Sequence, residues 1–94
     1  MTVTGPGPNP VNDLYFYAYI LKSIKDGGYY YGHCENLEKR LTNHNQGKVR
    51  STKSRRPFII HYSEQFLTKT EAAKREFFFK TIEGYRFLKS QGII

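Results

Sequence analysis

The sequence has one cysteine, Cys34, one methionine and no tryptophan in 94 residues. A lone cysteine forms no internal disulfide, and without a CxxC pair neither structural zinc nor thioredoxin-type chemistry is supported. No apolar run approaches the roughly 20 residues that a membrane span needs. Residues 1–13 lack the charged and hydrophobic regions of a secretion signal, so a cytoplasmic location is expected. Acidic residues are scarce as well: eight Asp and Glu stand against 15 Lys and Arg, a net charge of +7. That excess makes polyanions the leading partner class, with anionic lipid surfaces behind them. What is present is 38% hydrophobic and 16% aromatic residues, enough for one small packed domain.

The chain divides near residue 14. Thr4 to Asp13 crowds three prolines and two glycines into ten positions, which predicts a flexible tail over 1–13 and a folded domain over 14–94. From Leu14, LYFYAYILKS is β-branched and aromatic. Its odd positions set Tyr15, Tyr17, Tyr19 and Leu21 on one face, and its even positions set Phe16, Ala18 and Ile20 on the other. Both faces are apolar, which predicts a central strand. Asp26-Gly27-Gly28 is a turn signal, and Tyr29 to Cys34 should return antiparallel. Gly32 inside that strand, on the same face as Tyr30, predicts a close approach by another group.

Asn36 is a good N-cap for a helix through LEKRLTNHNQ, and Gly47 suits the left-handed position that stops it. KVRSTKSRRP, from Lys48 to Pro57, reads as an exposed basic loop, and FIIHYSEQF as a third strand. Thr68 and Glu71 form a capping box for a helix through AAKREFFFKTI, and a last helix is expected from about Glu83 to Ser90. The order β, β, α, β, α, α predicts an α+β domain with no internal repeat.

Three features can carry chemistry. Glu76 falls within the arc of Ala72, Ala73, Phe77 and Phe79 on its helix, where a carboxylate needs a partner. Two partners stay open, a Lys or Arg and a divalent metal, since Mg²⁺ commonly uses one carboxylate with waters and phosphate oxygens. Six of the eight tyrosines lie between Tyr15 and Tyr31; strand packing explains most such residues, but a phenol near a cation can also serve as a base. Arg40 and His44, four apart, share a helix face and either hold a phosphate or lie in solvent. His33 and Cys34 point to opposite faces of a strand and make no metal pair, and His61 reads as packing. Lys48, Arg50, Lys53, Arg55 and Arg56 would release counterions from a nucleic-acid backbone, with His33 as a further contact.

Together, Tyr17-Ala18-Tyr19, Tyr30-Tyr31-Gly32, Arg40, His44 and a helix-borne Glu76 resemble the GIY-YIG nuclease superfamily, in particular its small single-domain members. The resemblance covers about Leu14 to Ser90. It implies a three-stranded antiparallel sheet flanked by helices, and a metal-dependent endonuclease that hydrolyses DNA, with RNA as second choice, to a 5′-phosphate and a 3′-hydroxyl. It implies that Tyr19 and Tyr30 orient and deprotonate water and that Gly32 leaves room for substrate. Arg40 would offset charge developing on the phosphate, and His44 would assist proton transfer or grip the phosphate. Glu76 would hold one Mg²⁺ or Mn²⁺. Tyr17-Ala18 replaces the Gly-Ile of the first motif, and His33 stands where some relatives have lysine. Target choice would come from substrate shape, a partner protein or a homodimer. A catalytically silent nucleic-acid-binding module with the same fold is the alternative. The resemblance requires the phenols, Arg40 and Glu76 to line one hollow.

Overall fold

A computed structural model describes residues 15–94. The tail expected over 1–13 lies outside the described residues. The order is β1 (Phe16–Ser23), β2 (Tyr29–Cys34), α1 (Leu37–Asn45), a 3-10 turn (Lys53–Arg55), β3 (Phe58–Phe66), α2 (Lys69–Phe79) and α3 (Ile82–Ser90). The three strands form one antiparallel sheet in the order β2-β1-β3, so β1 is central, as its two apolar faces require. Tyr15 precedes the strand rather than joining it.

Strand alternation sends β1 into two separate cores. Ala18 and Ile20 pack with Phe79 of α2 and Leu88 of α3. Tyr19 and Leu21 pack on the other face with Phe58, and with Leu37 and Leu41 of α1. In β2 the same alternation puts Gly32, opposite Tyr19, on the α1 face, and puts His33, opposite Ala18, on the α2 face. Neighbouring residues of one edge strand therefore serve opposite sides of the sheet.

The caps follow the sequence. The Asn36 carboxamide oxygen accepts from the Lys39 N–H, the Thr68 hydroxyl accepts from Glu71 N–H, and α1 stops at Gly47 with φ +79°. Two expectations are corrected. The second helix ends at Phe79 instead of continuing to Ile82, because the Thr81 hydroxyl accepts from Gly84 N–H and caps a new helix. Phe77 is not in the apolar arc but 71% exposed, since the inward stripe of α2 runs through Ala72, Arg75, Glu76 and Phe79. Among the described residues no helix is long and apolar enough to cross a membrane.

Candidate active site

The α1 side of the sheet is built around Tyr19. Arg40 and His44, one turn apart on α1, converge on its phenol oxygen: Arg40 Nε–H donates to it at 3.2 Å, and His44 Nε2 lies 3.3 Å away. His44 Nδ1 is 2.8 Å from Thr52 Oγ1, and that hydroxyl donates to Val49 O. Because the Tyr19 oxygen already accepts from Arg40, its own proton is directed at His44 Nε2, and the hydrogen-bond network then assigns the imidazole proton to Nδ1, facing Thr52. Nε2 is then left bare to accept from the Tyr19 hydroxyl. Tyr30 stacks edge-on against the His44 ring at 4.9 Å. Gly32 is the close approach foreseen for it: a Cβ there would lie 2.4 Å from the Tyr19 oxygen.

Burial sets the charge state of this cluster. Tyr19 and His44 are 1% and 0% exposed. Burial raises the Tyr19 phenol to about 12, with the Arg40 hydrogen bond and charge opposing it. Burial, helped by the Arg40 charge, lowers His44 to about 4, so the imidazole is neutral at pH 7. The target shared by Arg40 and His44 is thus Tyr19. A solvent-facing role for His44, gripping a phosphate, is incompatible with its burial.

The α2 side holds Glu76. Its Oε1 accepts from His33 Nδ1–H at 2.7 Å and its Oε2 from Lys80 Nζ at 2.6 Å. Burial pushes this carboxyl up, but Lys80 and His33 together outweigh it and keep Glu76 below the usual carboxylate range. His33 is therefore a partner of Glu76, a role that sequence reasoning missed. The Lys80 pairing was legible in its spacing of four from Glu76.

The two clusters meet at the end of β2. A hollow of about 360 Å³ is lined by Phe16, His33, Cys34, Glu35, Arg40 and Lys69. Arg40 reaches it from the α1 side and His33 from the α2 side. Tyr19 lies behind Arg40 and does not line the hollow, and no hydrogen bond joins Glu76 to Tyr19, Tyr30 or Arg40 among the described residues. Of the groups expected to line one hollow, only the Arg40 guanidinium lines this one; Tyr19, Tyr30 and the Glu76 carboxyl do not, and Glu76, on the α2 face of the sheet, is linked to it through His33. Lys69, in the first turn of α2, adds a cation that the motif reading did not include. Burial raises the Cys34 thiol to about 11, which leaves it protonated and a poor nucleophile.

A family model described as the GIY-YIG catalytic domain matches residues 15–85. The chain belongs to that family. In this GIY-YIG domain the two motifs are hydrogen-bonded neighbours, with Tyr17 opposite Cys34 and Tyr19 opposite Gly32. The family is one of endonucleases, so the domain is nuclease-type. A UPF0213 protein of Staphylococcus saprophyticus is 46% identical over 74 residues, covering 78% of this chain and 89% of the relative. A UPF0213 protein of Bacillus licheniformis is 46% identical over 67 residues, covering 70% and 68%. The solution NMR structure of a UPF0213 protein from Bacillus halodurans shares 31% identity with a TM-score of 0.48, covering 82% of this chain and 84% of that one.

The basic loop is less free than its composition implies. Thr52 is fully buried, and Arg55 is paired with Asp26, with Nε 2.8 Å from Oδ2 and the guanidinium over the Phe58 ring. Ser23 Oγ–H also donates to Arg55 O. Arg55 therefore pins the loop to the β1–β2 turn, which corrects its placement among the backbone-binding residues. Lys48, Arg50, Lys53 and Arg56 remain exposed. Lys53 and Arg56 line a second hollow with Lys25 and Asn45.

Proposed function

We propose that the chain is a metal-dependent endonuclease that hydrolyses phosphodiester bonds in DNA, with RNA the second substrate. The observation that carries this reading is the hollow at the end of β2, where Arg40 and Lys69 face the His33 that holds Glu76. With its Nε spent on Tyr19, Arg40 keeps its Nη groups free of hydrogen bonds among the described residues. An always-charged fork held from behind by a buried phenol suits a phosphate whose charge grows during the reaction.

The metal requirement fits the residues present in one manner only. Among the described residues no group of three His, Cys, Asp or Glu side chains is gathered, so a transition-metal cage is not the arrangement at hand. A single ionised carboxylate, Glu76, suits Mg²⁺ or Mn²⁺ completed by waters and phosphate oxygens. Such an ion supplies Lewis-acid polarisation of the phosphate.

Tyr19 keeps its proton and positions Arg40, and His44 in turn holds Tyr19. Activation of the attacking water falls to Tyr30, which is half-buried beside them. Attack at phosphorus breaks the P–O3′ bond, leaving a 5′-phosphate and a 3′-hydroxyl. Lys25, Lys48, Arg50, Lys53 and Arg56 contact the flanking backbone.

The test is a cleavage assay over branched, flapped, single-stranded and duplex DNA, and over RNA, with Mg²⁺ or Mn²⁺. Wild-type protein is expected to cleave, and Glu76→Gln and Arg40→Ala to lose cleavage while still binding. Binding without cleavage by wild type on every substrate would leave the silent module. That alternative is favoured by one observation, that both Glu76 oxygens already have protein partners.

A further inference from the structure

Helix α2 carries or receives two carboxylate–cation pairs, and they are built differently. Arg75 grips Glu64 with two bonds, Nε to Oε1 at 2.7 Å and Nη2 to Oε2 at 3.2 Å, and its guanidinium lies over the rings of Phe78 and Phe87 at 4.7 and 4.9 Å. That cation is held by two hydrogen bonds and by aromatic rings. Lys80 holds Glu76 through one contact on a flexible stem, and its side chain is 50% exposed against 19% for Glu76. The carboxylate is anchored by His33 on its other oxygen, whereas the ammonium sits at the rim in water. The pair runs from Glu to Lys at i, i+4, the favourable direction on a helix.

We propose that Lys80 is an internal counter-cation that occupies the Glu76 carboxylate in the resting protein, so that a divalent ion binds by displacing it. The inference rests on Glu76 being the metal ligand. A compact ammonium on a long stem is a replaceable point charge, whereas a bidentate guanidinium is not. The Lys80 contact is weak enough to yield and near enough to weaken the ion's hold, by competing for Oε2 and by repelling the incoming charge. His33 stays in place and keeps Oε1 aimed while Oε2 changes partner. Metal affinity is thereby kept low until Lys80 has left.

Mn²⁺ binding by the full chain without nucleic acid, read by electron paramagnetic resonance and by calorimetry, tests this. Lys80→Met should tighten Mn²⁺ binding about five- to tenfold, the scale of losing an exposed ion pair together with one neighbouring positive charge. Lys80→Gln should do the same, and Lys80→Arg should leave binding at the wild-type level or weaker. Glu76→Gln in the Lys80→Met background should abolish the gain. If Lys80→Met and Lys80→Gln leave affinity unchanged or lower it while Glu76→Gln weakens binding, Lys80 is no occupant and Glu76 remains the ligand. If Glu76→Gln changes nothing in either background, the ion is not on Glu76 and both readings fall.

Discussion

On the α1 face of the sheet a tyrosine and a histidine are sealed from water, neutral and locked into a chain that runs from Arg40 through Tyr19 and His44 to Thr52. On the α2 face a histidine and a carboxylate sit half-buried, with a lysine reaching in from solvent. The side-chain types overlap, but the environments give them opposite tasks. Burial fixes position at the expense of exchange, since a sealed imidazole cannot meet a substrate or take up a proton near neutral pH. Partial exposure keeps charge and permits exchange. The hollow at the end of β2 draws on both, with Arg40 held from behind by Tyr19 and His33 held by Glu76.

The largest expected effect is on the exposed side. Glu76→Gln should lower the cleavage rate by about a thousandfold, roughly 4 kcal/mol, with a much smaller cost in stability, because the charge lost also pairs with His33 and Lys80. A modest rate loss would remove the distinction between the two sides. Next comes Gly32→Ala, whose new methyl would strike the sealed Tyr19 ring at 2.4 Å from its oxygen. A loss of about 3 kcal/mol is expected in urea unfolding, because a rigid buried ring has no room to retreat.

The acid response sharpens the comparison further. The His44 imidazole has a folded pKa near 4 against an ordinary 6.5, so the unfolded chain takes up the proton first. The stability that this contributes is fully present above pH 6.5 and is lost as pH falls towards 4, by about 3 kcal/mol in all. Urea titrations at pH 7, 5 and 4 should show this slope, and His44→Gln should flatten it. Thr52→Val strands the Nδ1–H in a buried site and should cost about 1–2 kcal/mol. It should also weaken the Tyr19–Arg40 alignment, seen as reduced kcat at unchanged metal affinity. The smallest effect belongs to the loop: Lys53→Gln or Arg56→Gln should each reduce the salt slope of DNA binding by about 1. Arg55→Gln should instead lower the melting temperature, because Arg55 is spent on Asp26.

Much of this was legible in one dimension. Two apolar faces on β1 announced a central strand, and Asn36, Gly47 and the Thr68–Glu71 box marked helix ends by local hydrogen bonding and backbone sterics. The spacing of Arg40 and His44 gave their shared face, but not what that face meets. Phe77 was misread because an apolar residue on a helix carries no mark of which side the neighbouring sheet will cover. Arg55 was misread because its partner, Asp26, is 29 residues away and no local rule links them.

The amino-acid sequence by itself determined the element order, the helix caps, the motif pair on adjacent strands and the positive balance of charge. Each of these depends on interactions between residues a few positions apart or on composition alone. Only the tertiary structure decided that Tyr19 and His44 are sealed, that His33 belongs to Glu76, and that the two faces of the sheet meet in a hollow at the end of an edge strand. Burial and long-range pairing set those outcomes, because the desolvation that shifts a phenol or an imidazole is produced by whichever distant segments close over it.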